Sequence, residues 1–200
     1  MKLILVRHGE TFENLKGITQ GHFNSQLSPE GIEQAKKVAE RLKDMKIGVI
    51  FSSDLDRAMN TSKEILKHHP NTKFVPEKIL REQSKGIFEG KKKEGRNKML
   101  NVGNVPFHEW HPEGGERLID VWEKVIPFLE KIKKEYADKT VLFVSHGGPI
   151  SCILSYLHGK PVADFGIFLP KMANTSISIA DIDSNGIKFE TLNCSKHLWI

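Results

Sequence analysis

Short continuous apolar runs alternate with helical stripes along this chain. Leu3-Ile4-Leu5-Val6, Ile47-Gly48-Val49-Ile50-Phe51 and Thr140-Val141-Leu142-Phe143-Val144 are too short for helices. Runs of this length and β-branched content predict strands buried on both faces. Between them apolar residues recur at helical spacing. Ile32, Ala35, Val38, Ala39 and Leu42 mark one face of a helix, with Ser28 as N-cap and Pro29 at its first position. A second helix is expected from about Leu55 to His68, with Ser52-Ser53-Asp54 offering its N-cap. A third covers Leu118 to Tyr136, where Pro127 should kink or interrupt it. A fourth has Pro149 in its first turn and runs to about Leu157. Lys73-Phe74-Val75 reads as a short strand. Ser176 to Ile182 and Ile187 to Leu192 alternate about Asp183-Ser184-Asn185-Gly186, a hairpin at the sheet's edge. The pattern is that of an α/β chain.

Two stretches follow neither period. Glu10 to Leu27 is a polar loop carrying Asn14, Gln20, Gly21 and His22, and a long loop behind a buried strand is usually functional. Gln83 to Glu116 holds Lys91-Lys92-Lys93, then Met99, Leu100, Val105, Phe107 and Trp110, and closes in Pro112-Glu113-Gly114-Gly115-Glu116. An excursion this long with scattered large apolar residues reads as a cap laid over a site. Phe88, Met99, Phe107, Trp110 and His22 are candidates for the mouth of that site, with cap packing the first reading of the apolar ones. The lysine run reads first as a solvated face.

The chain's 200 residues suit one domain, 1–200, with the cap at about 83–117. A formal charge of +5 admits an anionic ligand but does not argue for nucleic acid. Cys152 and Cys194 have neither metal nor disulfide spacing, and Cys152 reads as a small core residue. His68-His69 lacks partners at metal spacing and reads as a solvated helix end. The first apolar run is too short for a signal peptide, and no stretch approaches a membrane span. No membrane partner is expected, and the default setting is cytoplasmic. Leu198-Trp199-Ile200 packs either on the body or on a second subunit, which leaves a homodimer open.

The chemistry sits where the strands end. Arg7-His8 closes the first run, Arg57 lies in the first turn after the second, and His146 closes the third. Ligands of open α/β sheets bind at that carboxyl edge. Two arginines can neutralise a phosphoryl dianion in bidentate fashion, and two histidines permit one nucleophile and one electrostatic partner. The arginines carry the charge that a metal carries elsewhere, so neither metal nor cofactor is expected.

The ordered set Arg7-His8-Gly9-Glu10-Thr11 with Asn14, Leu27-Ser28-Pro29-Glu30-Gly31, Ser52-Ser53-Asp54-Leu55-Asp56-Arg57-Ala58, Glu82 with Gly86 and Glu89-Gly90, and Val144-Ser145-His146-Gly147 resembles the histidine phosphatase superfamily, the phosphoglycerate mutase-like proteins. That resemblance implies a three-layer α/β/α sandwich, its sheet mostly parallel with an antiparallel edge strand, and a cap insertion. It implies His8 as the nucleophile that becomes phosphohistidine, with Arg7, Arg57 and His146 binding the phosphoryl oxygens. It implies Glu82 as the acid that protonates the leaving oxygen and then activates water. Asn14, Gln20, Gly21 and Gly147 resemble positions that line the same pocket. Leu80, Glu82, Gly86 and Glu89-Gly90 resemble the broad-specificity phosphatase branch, so the expected activity is metal-independent hydrolysis of a small phosphorylated metabolite. The alternatives are a phosphoglycerate mutase primed by 2,3-bisphosphoglycerate and a non-catalytic phosphate-binding protein. One departure stands out. Arg117 follows Gly114-Gly115-Glu116 where that branch commonly has serine, so Arg117 either faces solvent or grips a distal anion.

Overall fold

The computed structural model describes residues 1–102, 105–164 and 172–199, except for the side chains of residues 96 and 99–102. The expected contributions of the Met99 and Leu100 side chains and of Ile200 therefore lie outside the described residues. The chain runs β1 (Lys2–Arg7), α1 (Phe12–Leu15), α2 (Pro29–Leu42), β2 (Val49–Ser52), α3 (Asp56–Leu66) and β3 (Lys73–Pro76). It continues through α4 (Lys93–Val102), α5 (Leu118–Glu135), β4 (Thr140–Ser145), α6 (Gly147–Leu157), β5 (Ile177–Asp183) and β6 (Gly186–Cys194).

The strands form one sheet in the order β3-β2-β4-β1-β5-β6. β1, β2, β3 and β4 pair in parallel, so their carboxyl ends gather on one edge. β5 runs against both β1 and β6. The reversed strand therefore lies one in from the edge, because its hairpin partner returns outside it.

Alternate residues of a strand face opposite sides, and this divides the core into two layers. Leu3, Leu5, Val49, Phe51, Val141 and Phe143 pack on α5 and α6 through Val121, Val125, Leu129, Ile150 and Ile153. Ile4, Val6, Ile50, Leu142 and Val144 pack on α2 and α3 through Val38, Ala39, Leu42, Ala58 and Ile65. Cys152 is fully buried in the first layer, as read from the sequence, and burial pushes its thiol pKa up.

Four local expectations change. Pro127 does not interrupt α5, which runs unbroken past it. Pro127 is exposed, so the carbonyl it leaves unpaired faces the solvent side of the helix. The segment after residue 83 is less irregular than its pattern suggests, since α4 forms from Lys93. The residue before α3 is Leu55, which makes no side-chain cap; Ser53 and Asp54 are engaged elsewhere, as described below. His69 is buried rather than solvated, with Nε2 at 3.2 Å from the Leu42 carbonyl. At the carboxyl end, the turn 196–199 sits against α2, where Lys37 donates to the Leu198 carbonyl at 2.9 Å, while Trp199 stays exposed. Among the described residues no helix is long and apolar enough to cross a membrane.

Candidate active site

β1 ends in Arg7, and His8 follows it into the interior with 3 % of its surface exposed. His8 Nδ1 lies 2.7 Å from the Gly9 carbonyl oxygen. A carbonyl only accepts, so Nδ1 carries the hydrogen and Nε2 keeps its lone pair. Burial pushes the His8 pKa well below its ordinary value, and the cations Arg57 and Arg7 push it further. The backbone around His8 is held from three sides. Its carbonyl accepts from Asn174 Nδ2 at 3.0 Å, its amide donates to Ser145 O at 3.0 Å, and the Gly9 amide donates to Thr61 Oγ1 at 3.0 Å. A Cβ on Gly9 would lie 2.5 Å from the Gly31 carbonyl. The bare glycine thus lets the nucleophile's loop close onto the first turn of α2.

Arg57 sits in the first turn of α3 and is buried almost completely. Its Nη1 donates to Phe23 O at 2.9 Å, its Nη2 to Gly21 O at 2.8 Å and its Nε to His146 Nδ1 at 3.2 Å. Burial pushes its pKa down to about 10, which leaves the guanidinium charged at neutral pH. Because His146 Nδ1 accepts from Arg57, its Nε2 carries the hydrogen and donates to Ser53 Oγ at 2.7 Å. Burial, reinforced by Arg57, holds the His146 pKa well below its ordinary value. The His8 and His146 rings lie 5.0 Å apart between centroids. Arg7 donates through Nη1 to the Met172 carbonyl, while its Nε is buried with no hydrogen-bond partner among the described residues. A buried donor left open in this way costs free energy unless an acceptor arrives.

Glu82 follows a 3₁₀ turn at Lys78–Leu80 that leads away from β3. Arg81 anchors this segment through a two-pronged pair with Asp54, both contacts at 2.6 Å. The Glu82 carboxylate accepts from the Gly148 amide at 3.1 Å and the Gln83 amide at 3.0 Å. A Cβ on Gly148 would lie 2.2 Å from Glu82 Oε1, so the bare glycine leaves the carboxylate its place at the start of α6.

Arg7, His8, Asn14, Gln20, Gly21, Arg57 and Glu82 line one cleft of about 120 Å³. His146 and Gly147 are not in its lining; His146 meets the site through Arg57 and the His8 ring. Asn14 closes a capping box with Thr11 at the start of α1, which fixes its place on the wall. Four lining residues were not singled out from the sequence as site residues, Ile18, Thr19, Lys85 and Lys93. Lys93 belongs to the run expected to be a solvated face, and its neighbours Lys91 and Lys92 are exposed. Phe88 packs on Trp110 at 5.7 Å between rings, and Phe107 is exposed, so neither lines the cleft. Arg117 faces solvent, paired with Asp120 at 2.6 Å at the start of α5. Ser53, Thr61 and Asn174, which brace the two histidines, were also not anticipated.

A family model described as the histidine phosphatase superfamily, branch 1, matches residues 3–195. A metal-independent phosphoserine phosphatase of Arabidopsis thaliana is 34% identical over 191 residues, covering 90% of this chain and 76% of the relative. Among solved structures, Bacillus stearothermophilus YhfR superposes with a TM-score of 0.89 at 26% identity, covering 98% of both chains. A phosphoserine phosphatase from Entamoeba histolytica, solved with 3-phosphoglyceric acid, superposes with a TM-score of 0.83 at 28% identity, again covering 98% of both.

Proposed function

The chain belongs to the histidine phosphatase superfamily, and from that premise we propose that it hydrolyses small phosphomonoesters through a phosphohistidine on His8. The observation that carries this reading is the state of His8. It lines the cleft, its Nδ1 hydrogen is committed to Gly9 O, and burial, reinforced by two neighbouring guanidinium groups, keeps it neutral. A neutral imidazole with a free Nε2 lone pair is the nucleophile that this chemistry needs.

In the first step Nε2 attacks phosphorus as the ester P–O bond breaks, and the leaving oxygen takes a proton from the Glu82 carboxyl. In the second, water attacks phosphorus and gives its proton to Glu82. The P–N electron pair returns to Nε2, and inorganic phosphate leaves. Arg7, through its unpartnered Nε, and Arg57 hold the phosphoryl oxygens as charge builds on them. His146 keeps Arg57 oriented through Nδ1. The arginines supply the positive charge, so the proposed steps need no metal. Asn14, Gln20 and Gly21 complete the wall.

The segment 83–117 serves in this reading as a cap, and its two ends are tied together. The Glu116 amide donates to Ser84 O at 3.0 Å, and the Ser84 amide to Glu116 Oε2 at 2.8 Å. The cap brings Lys85 and Lys93 to the cleft, which suits a substrate bearing a second anionic group beyond the phosphoryl.

The deciding experiment is turnover of an aryl phosphate in EDTA, wild type beside His8→Ala. Activity in the wild type and its loss in the mutant are expected, with an acid-labile phosphoryl group trapped on His8 alone. Turnover by His8→Ala at the wild-type rate would overturn the reading. Phosphoserine and 2,3-bisphosphoglycerate, assayed in parallel, test for the second anion. Activity that appears only with the bisphosphate as primer would instead identify a mutase.

A further inference from the structure

We propose that His22 is a positioning residue that fixes the general acid relative to the phosphoryl clamp; this rests on the reading of Glu82 as the acid. His22 does not line the cleft, although its sequence position suggested the mouth. Its ring turns the other way. Nε2 lies 2.8 Å from the Glu82 carbonyl oxygen, so Nε2 carries the hydrogen and donates. The same nitrogen is 3.7 Å from Glu116 Oε2.

What makes this contact more than a loop bond is its neighbours. Gly21 and Phe23, on either side of His22, hold the two ends of the Arg57 fork through their carbonyls, at 2.8 and 2.9 Å. One three-residue turn therefore grips Arg57 by its backbone and Glu82 by its imidazole. The turn itself cannot drift. The His22 amide donates to Glu89 Oε1 at 2.9 Å, and that oxygen also receives the Lys85 amide at 2.8 Å and Ser84 Oγ at 3.1 Å. Gly21 adopts a φ of +53°, and a Cβ there would meet Glu89 Oε1 at 2.2 Å. The amides of Gln83 and Gly148 orient the Glu82 carboxylate, and its backbone is held on one side by the Arg81–Asp54 pair and on the other by His22. Without the imidazole the acid keeps its local bonds and the Arg81–Asp54 anchor, and loses its direct tie to the turn that grips Arg57.

Leaving-group dependence separates this role from a merely structural one. An alkoxide needs the acid's proton as the P–O bond breaks, whereas a nitrophenolate leaves without it. The value of kcat/KM covers binding and transfer to His8 and excludes the later hydrolysis of the phosphohistidine. His22→Ala should lower kcat/KM for an alkyl ester such as phosphoserine by about 10- to 100-fold, the cost of a small misplacement of a reacting group, and change p-nitrophenyl phosphate by less than about threefold. His22→Gln, which keeps an N–H donor, should recover most of the alkyl rate. His22→Phe, which keeps the ring's bulk without a donor, should behave like alanine and serves if the alanine variant does not fold. Equal losses on both esters, or no loss on either, would overturn the proposal. Glu82→Gln belongs in the same series. If it treats the two esters alike, the reading of Glu82 as the acid falls. If it discriminates and the His22 variants do not, only the role of His22 falls.

Discussion

A guanidinium with 1 % of its surface exposed must direct its hydrogens to acceptors around it, and Arg57 makes four such bonds, to Phe23 O, Ser25 Oγ, Gly21 O and His146 Nδ1. A lysine has the charge but not the planar fork, so it cannot reach the two carbonyls and the imidazole together. Arg57→Lys should therefore behave nearly as Arg57→Ala, each losing about 10²- to 10³-fold in kcat/KM, the scale of removing an electrostatic stabiliser. A lysine variant within a factor of three of wild type would show that charge alone suffices. Arg117 gives the opposite case. It caps α5 in solvent and pairs with Asp120, away from the cleft. Arg117→Ser should leave the ratio of activities on mono- and bisphosphorylated esters unchanged. A selective loss on the bisphosphate would bring Arg117 into the site after all. At this scale the sequence was informative where chemistry is local. Arg7, His8 and His146 sit beside the strands that deliver them. Ser53, Thr61 and Asn174 were not readable, because a hydroxyl or amide announces nothing until the fold sets it against a histidine from another element.

The elements that could be read are those whose burial enforces a period. β1, β2 and β4 are covered on both faces and appear as unbroken apolar runs, and α2 shows its stripe because one face packs on the sheet. α4 has no such stripe: its sequence KEGRNKMLNV is polar through its first two turns, so nothing in it separates helix from loop. The N-cap of α3 was misassigned for a related reason. Of Ser52-Ser53-Asp54, the stretch that offered the cap, Ser52 bonds Ser62, Ser53 accepts from His146, and Asp54 binds Arg81. Pro127 carries the prediction that belongs here. It stands exposed in an unbroken α5, where it removes one backbone bond and gains no packing in return. Pro127→Ala should raise the unfolding free energy by about 1–3 kcal/mol with the urea m-value unchanged. A destabilised variant would mean that proline's restriction of the unfolded chain outweighs the lost bond.

Across the whole molecule, the layers place histidines where they cannot easily be charged. His8 and His146 lie at the centre of the sheet's carboxyl edge, between Arg7 and Arg57, and burial first and the arginines second push both pKa values well down. Burial also lowers His69, His158 and His197, further from the site. In the unfolded chain these imidazoles return to an ordinary value near 6.5. The sign follows from proton counting. Below about pH 6.5 the unfolded chain takes up protons that the native state refuses, so acid favours unfolding; above it neither state binds them and the full stability is present. Each fully neutral buried histidine removes up to about 1.4 kcal/mol per pH unit as the pH falls from 6.5 towards its native pKa. The carboxylates act lower. Asp54, held down by its hydrogen bonds to Arg81, is lost only as the pH drops below the ordinary carboxylate range, so the two effects separate. Urea unfolding at pH 7.5, 6.5, 5.5 and 5.0 should therefore give a midpoint that is level between the first two and declines through the others. Replacing His146 with asparagine should flatten that decline, since one of the deepest imidazoles no longer titrates. Inorganic phosphate should oppose it, because an anion between Arg7 and Arg57 makes a protonated His8 less costly and binds only the native state. A midpoint that stays level down to pH 5.0 would mean that the buried imidazoles accept protons without loss, and the cationic edge that keeps His8 a nucleophile would not be built as described.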